Sequence, residues 1–229
     1  MTGAAVADGV VVCAVTAAAA VLAGRFAAGP SRDRAASGQE PSEDTAEGDT
    51  GTRARPAVRV VLIGACAAVC SALVYARVGW AAPLPAACCL CAAGPPLAAV
   101  DLTEHRLPDR LTLPAIAVTA VLLTAASWQR GDFLPLGRAA ISAGAASGFF
   151  LALALITRQV GGGDVKLAAL TGMLPGWLGW DYFLFALVSG LLLAAIAAAG
   201  LIVTRRMSRR DPLPLGPFLL AGALVSLLA

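Results

Sequence analysis

Apolar stretches alternate with short polar punctuation along almost the whole chain. A helix needs about 20 mainly apolar residues to cross the hydrocarbon core of a bilayer. The pattern predicts eight such helices, near residues 4–24, 59–78, 80–100, 112–127, 137–157, 165–180, 182–204 and 213–229. The fourth, sixth and eighth are short, and the sixth carries Gly172, Pro175 and Gly176, which predicts a kink or an incomplete crossing. Six or seven spans are therefore the alternatives to eight. The expected fold class is an all-α, polytopic integral membrane protein in a lipid bilayer. Only residues 29–58 break the pattern. They are rich in Gly, Ser, Thr, Glu and Asp, with Pro30, Pro41 and Pro56, and such a segment buries too little apolar surface to offset its ordering entropy. The chain thus divides into an N-terminal membrane anchor (1–28), a flexible linker (29–58) and a membrane-embedded domain (59–229). Within the first stretch the only charge before the apolar core is Asp8, and Arg25 follows it. A secretory signal has the opposite order, so an anchor is expected.

Composition agrees. Apolar residues make up 59% of the 229-residue chain and charged residues 14%, with a mean hydropathy of +0.79. Soluble domains run at about 45–50% and about 25%, so a soluble enzyme and a mostly disordered chain are both excluded. The net charge of +3 is too small to point to a nucleic-acid partner. The six cysteines, Cys13, Cys66, Cys70, Cys88, Cys89 and Cys91, all lie in apolar runs, and the single His105 is not near them in sequence. They read as small buried hydrophobes; neither a metal site nor a cofactor is expected.

Charge sets the orientation. With eight spans and the N-terminus outside, only Arg77, Arg130 and Arg138 of the 17 basic residues fall outside. The rest face the cytoplasm, as the positive-inside rule requires, and the linker becomes cytoplasmic.

The acids then sort by side. Asp8, Asp132 and Asp181 belong to external ends, and Asp211 sits beside Arg209 and Arg210. Asp101, Glu104, Asp109 and Asp164 gather on the cytoplasmic side. Asp101 ends the third span; Asp164 opens the sixth, directly after Gly161-Gly162-Gly163. The orientation did not use these two residues, yet it brings both to one depth and one face. Carboxylates at such depths are functional candidates by default. The plainer alternatives are a helix-end charge reaching the interface, or for Asp164 an N-terminal cap suited to the helix dipole. Capping is weaker for Asp101, at a helix C-terminus, where the dipole disfavours an anion. Two close carboxylates share a proton because both cannot ionise cheaply. The ionised one polarises a water and takes its proton as that water attacks a peptide carbonyl; the neutral one donates a hydrogen bond to the carbonyl oxygen and later protonates the leaving amine. The triple glycine lets backbone approach closely beside Asp164.

At these residues the chain resembles the type IV prepilin peptidases. The stretch from Asp101 to Pro114, with its Leu107-Pro108-Asp109 step, is similar to their first catalytic motif. Gly161-Gly162-Gly163-Asp164-Val165-Lys166 is similar to the second, GxGD with a lysine two residues on. Leu213-Pro214-Leu215-Gly216-Pro217-Phe218 is similar to the start of the family's last span. The resemblance covers roughly residues 80–229. It implies a membrane aspartic endopeptidase of the bacterial plasma membrane that cuts the basic leader of prepilins or pseudopilins at the cytoplasmic face, just before an apolar helix. By motif position, Asp101 and Asp164 are its catalytic pair, Gly161 and Gly163 its motif glycines, and Pro108, Asp109 and Lys166 supporting residues. Larger members carry a cytoplasmic domain with paired cysteine zinc ligands, associated with N-methylation. Residues 29–58 have no cysteine, so a short, peptidase-only form without methyltransferase activity is expected. The rival from another class is a proton-coupled transporter or channel, which also uses membrane carboxylates and broken helices. A structural secretion subunit and a presenilin-like or preflagellin-type protease are further alternatives.

Overall fold

A computed structural model describes residues 50–78, 81–104, 109–157, 161–204 and 214–229. The expected anchor at 1–28 and most of the linker lie outside these residues. So does Pro108. The described residues form seven helices and no strand: α1 (Thr50–Val78), α2 (Leu84–Glu104), α3 (Asp109–Arg130), α4 (Leu134–Thr157), α5 (Gly162–Leu178), α6 (Trp180–Val203) and α7 (Gly216–Leu228). Helix α1 begins inside the stretch expected as linker, at Thr50. Four stretches, Leu84–Leu102, Asp109–Arg130, Leu134–Thr157 and Trp180–Val203, are long and apolar enough to cross a membrane. Two other apolar stretches, Val61–Arg77 and Gly216–Leu228, are shorter. The architecture is that of an all-helical polytopic membrane protein.

Helices are the forced solution for such a sequence, because a helix satisfies every backbone polar group within its own segment. Prolines interrupt α2 (Pro95, Pro96), α3 (Pro114) and α5 (Pro175) without ending them. Packing against neighbours makes the lost backbone bonds tolerable in membrane helices. Where a helix does stop, the turn chemistry is explicit. Gly131 takes a left-handed φ of 66° after α3. Its N–H donates to the carbonyl of Trp128 and that of Asp132 to Ser127, the two bonds of a Schellman ending. One oxygen of Asp132 then accepts the N–H of Leu134 at 3.0 Å and starts α4.

The 17-residue helix α5 is the hub. Helix α5 touches α2, α3, α4, α6 and α7, and Leu167, Leu170, Leu174 and Trp177 are fully buried on it. Its broadest contact is with α4, through Ala168, Gly172 and Gly176 at four-residue spacing. A Cβ on Gly172 would lie 3.1 Å from the carbonyl oxygen of Ser142, and one on Gly176 would overlap the Ser142 side chain. Small residues are what let membrane helices approach this closely. The outward surface is apolar instead of charged: Val121, Leu155, Ile156, Val188 and Ile196 are all exposed. Trp128, Phe133, Trp180 and Tyr182 are exposed at the α3–α4 and α5–α6 turns, the interfacial position aromatic rings favour. These turns mark the end of the bundle opposite the acids.

Candidate active site

Four helix ends meet at the other end of the bundle: the C-terminus of α2 and the N-termini of α3, α5 and α7. Asp101 occupies the last turn of α2 and is 4% exposed; Asp164 occupies the first turn of α5 and is 7% exposed. The two carboxylates are close enough for the charge of Asp101 to act on Asp164. They are the only buried acids among the described residues.

Each carboxylate is tethered to a backbone N–H. Gly161, the N-cap of α5, has an extended backbone (φ −76°, ψ 151°). It donates its N–H to Oδ2 of Asp164 at 3.3 Å. In return the N–H of Asp164 donates to the Gly161 carbonyl at 3.1 Å. An acid at the third helical position reaching back to the cap is a capping-box contact, so the capping role and the pairing with Asp101 coexist. Oδ2 of Asp101 accepts the N–H of Gly216, the first residue of α7, at 3.0 Å.

Lys166 and Asp109 stand at the water boundary. Their side chains pair at 2.5 Å and are 39% and 59% exposed, joining the start of α3 to the start of α5. Asp164 is in none of the four stretches long and apolar enough to cross a membrane. Burial pushes its carboxyl up from the usual carboxylate range to about 6, the charge of Asp101 pushes in the same direction, and the Gly161 N–H works against them. A buried acid beside a second acid holds its proton because ionising it would put two negative charges in a poorly solvated place.

Of the residues singled out by sequence, the structure brings Asp101, Asp164 and Gly161 into one cluster, with Asp109 and Lys166 paired beside it. Gly163 lies in the first turn of α5 without a side-chain role. Gly216 belongs to the cluster too. The sequence marked it only as part of a proline-rich helix start; its glycine-proline step is the signal that was there to find. Among the described residues no group of three His, Cys, Asp or Glu side chains is arranged to hold a metal ion. Cys66, Cys70, Cys88, Cys89 and Cys91 are unbridged thiols. A cleft of about 220 Å³ opens between α2 and α3, lined by Cys89, Ala93, Pro96, Leu97, Arg110 and Pro114. Leu97 is one helical turn from Asp101.

Residues 84–203 match the type IV leader peptidase family. Among curated proteins the chain is similar to three prepilin leader peptidase/N-methyltransferases. It is 38% identical over 151 residues to that of Burkholderia pseudomallei (strain K96243), covering 60% of this chain and 44% of the relative. The values for Aeromonas salmonicida are 35% over 139 residues, 56% and 44%. Those for Bacillus subtilis (strain 168) are 33% over 138 residues, 58% and 50%. The chain spans about half the length of the curated relatives it matches. No solved structure matches it.

Proposed function

Because this chain belongs to the type IV leader peptidase family, we propose that it is a membrane aspartic endopeptidase that removes the leader of prepilins or pseudopilins. The observation that carries the reading is the pair of buried carboxylates, Asp101 and Asp164, delivered by different helices to one end of the bundle. The proposed activity is leader cleavage alone, since residues 29–58 hold no cysteine.

The proton distribution gives each acid a role. Asp164 keeps its proton to about pH 6 and serves as the general acid. Asp101 is the ionised partner and takes a proton from the attacking water. As the water oxygen bonds to the peptide carbon, Asp164 gives its proton to the carbonyl oxygen. When the tetrahedral gem-diol collapses, the proton on Asp101 passes to the leaving amine, one gem-diol hydroxyl returns its proton to Asp164, and the C–N bond breaks, which restores the starting protonation of the pair. The cleft between α2 and α3 ends one turn from Asp101 and is apolar apart from Arg110. That character suits the apolar helix that follows the leader in such substrates. The basic-residue bias of the loops supports a cytoplasmic active site with the N-terminus outside.

Cleavage of a prepilin by the purified chain in detergent, compared with Asp101→Asn and Asp164→Asn, tests the proposal. Each variant is expected to lose at least about 1,000-fold in kcat/KM while remaining in the membrane. The double variant should be no worse, because residues that act as a unit are non-additive. Normal cleavage by both single variants would sink the aspartic-peptidase reading and favour a carboxylate-dependent transporter.

A further inference from the structure

Helix α7 reaches the acid pair with a single backbone group. The sequence at its head is Leu215-Gly216-Pro217-Phe218. Pro217 has no N–H, and the N–H groups of Phe218 and Leu219 both turn back to the Leu215 carbonyl at 3.1 Å. Within this first turn, only the Gly216 N–H points away from the helix, and Oδ2 of Asp101 accepts it in a buried contact. The site is also the crowded one. A Cβ built on Gly216 would lie 2.6 Å from that same Oδ2, 3.1 Å from Cγ of Asp101 and 3.1 Å from Cδ2 of Leu167.

We propose that Gly216 is a positioning residue for the carboxylate pair. Its N–H holds one oxygen of Asp101, and its missing side chain is the space in which that carboxylate sits. The proposal rests on the leader-peptidase reading and adds to it a third helix that the two acid motifs do not contain. The physics favours the ionised acid. A hydrogen bond donated to a carboxylate stabilises its charged form, and the head of a helix carries partial positive charge. Asp101 ends α2, where the helix's own dipole opposes an anion, so α7 offsets the unfavourable end of α2. The Gly216 N–H thereby does for the charged form of Asp101 what the Gly161 N–H does for that of Asp164, at a shorter distance, 3.0 Å against 3.3 Å.

Replacing the Gly216 N–H by an ester oxygen, with glycolic acid introduced at position 216 of the full chain, removes the bond to Asp101 and also weakens the Leu215 carbonyl as acceptor for Phe218 and Leu219, so the same replacement in Asp101→Ala is the reference. Prepilin cleavage is then measured against pH. The expected result is a roughly tenfold fall in kcat/KM on the acidic side of the profile, with a smaller loss at higher pH. A purely structural defect lowers the rate equally at every pH, and that result, or an unchanged profile, overturns the proposal. Gly216→Ala should lose at least about 100-fold in cleavage, and adding Leu167→Ala should not restore it. Restoration would mean that Gly216 serves only to pack against Leu167. A second readout needs no substrate. In detergent the ester should lower the melting temperature by about 3 °C more when Asp101 is present than in Asp101→Ala. If the wild-type chain cuts no prepilin, the peptidase reading fails, and this comparison still decides the role of Gly216: an equal drop in both backgrounds overturns it.

Discussion

Asp164 is at once the third residue of an ordinary helix start and half of an acid pair, and the two roles pull its proton in opposite directions. The Gly161 N–H favours the charged form; burial and Asp101 favour the neutral one and prevail. A folded-state value of about 6 against the usual 3.8 means that the folded chain holds this proton more tightly than the unfolded one. Stability is therefore lost as pH rises from about 4 to about 6. Asp164→Asn should remove that loss. It is expected to melt higher than wild type at pH 7, by roughly 1–2 kcal/mol after allowance for screening by nearby water, and to show no gain at pH 3.5; melting curves in detergent at both pH values check this. In the proposed mechanism the same proton sets the alkaline side of catalysis. The descending limb of kcat/KM, which reports the free enzyme, is expected near pH 6, and that of kcat higher, because bound peptide displaces water from the acid. Asp109 differs although it sits only a few residues beyond Asp101. It is exposed and its partner is Lys166, and exposed pairs contribute about 0–1 kcal/mol. Asp109→Asn should keep cleavage within about threefold of wild type. A dead Asp109 variant beside an active Asp101 variant would mean the wrong acid of the first motif had been chosen.

At the scale of helices, what places the acids is close packing remote from them. Helix α7 lies against α6 through Gly222, where an added Cβ would fall 2.4 Å from the Ala186 carbonyl oxygen and 2.6 Å from the Gly190 nitrogen. Those are backbone atoms and cannot rotate away, so the two helices must separate. Gly222→Ala is expected to cost about 1–3 kcal/mol, the range for overpacking. Because α7 also carries Gly216 to Asp101, cleavage should fall along with the melting temperature. Gly148→Ala is the matched control: it lies on the exposed side of α4 with nothing within 4 Å of the new Cβ, and alanine is the better helix former. It should keep full activity and melt no lower than wild type. Loss of stability in both variants would show that glycine packing is not what joins α6 to α7.

For the molecule as a whole, the two ends of the bundle differ in chemistry. One gathers Asp101, Asp109, Asp164 and Lys166; the other gathers exposed aromatic rings, with Arg130 stacked 5.2 Å from the Trp177 ring. In the proposed orientation, the positive-inside bias puts the acidic end in the cytoplasm together with residues 29–58. Cysteines introduced at positions 35–50 should resist an impermeant maleimide in intact cells and react after lysis; labelling of intact cells would reverse the orientation. Much of this was legible along the chain. Hydrophobic length pointed to the four stretches long enough to cross a membrane, because a segment without water has no other way to satisfy its backbone; the shorter helices were legible from apolar content and polar punctuation. Spacing and motif singled out Asp101 and Asp164, since charge is rare in such helices and two isolated acids stand out. Boundaries were less secure: α1 starts at Thr50, since helix ends depend on local bonds that hydropathy does not register. Two features belong to tertiary structure alone. One is the coincidence of four helix ends, which depends on how small residues let α4, α5, α6 and α7 close on one another. The other is the partner of Asp101, a backbone N–H 115 residues away. Residue type does not mark a main-chain donor, because every residue except proline carries one; the glycine-proline step marks a helix head, and only the fold decides that its N–H faces a buried charge.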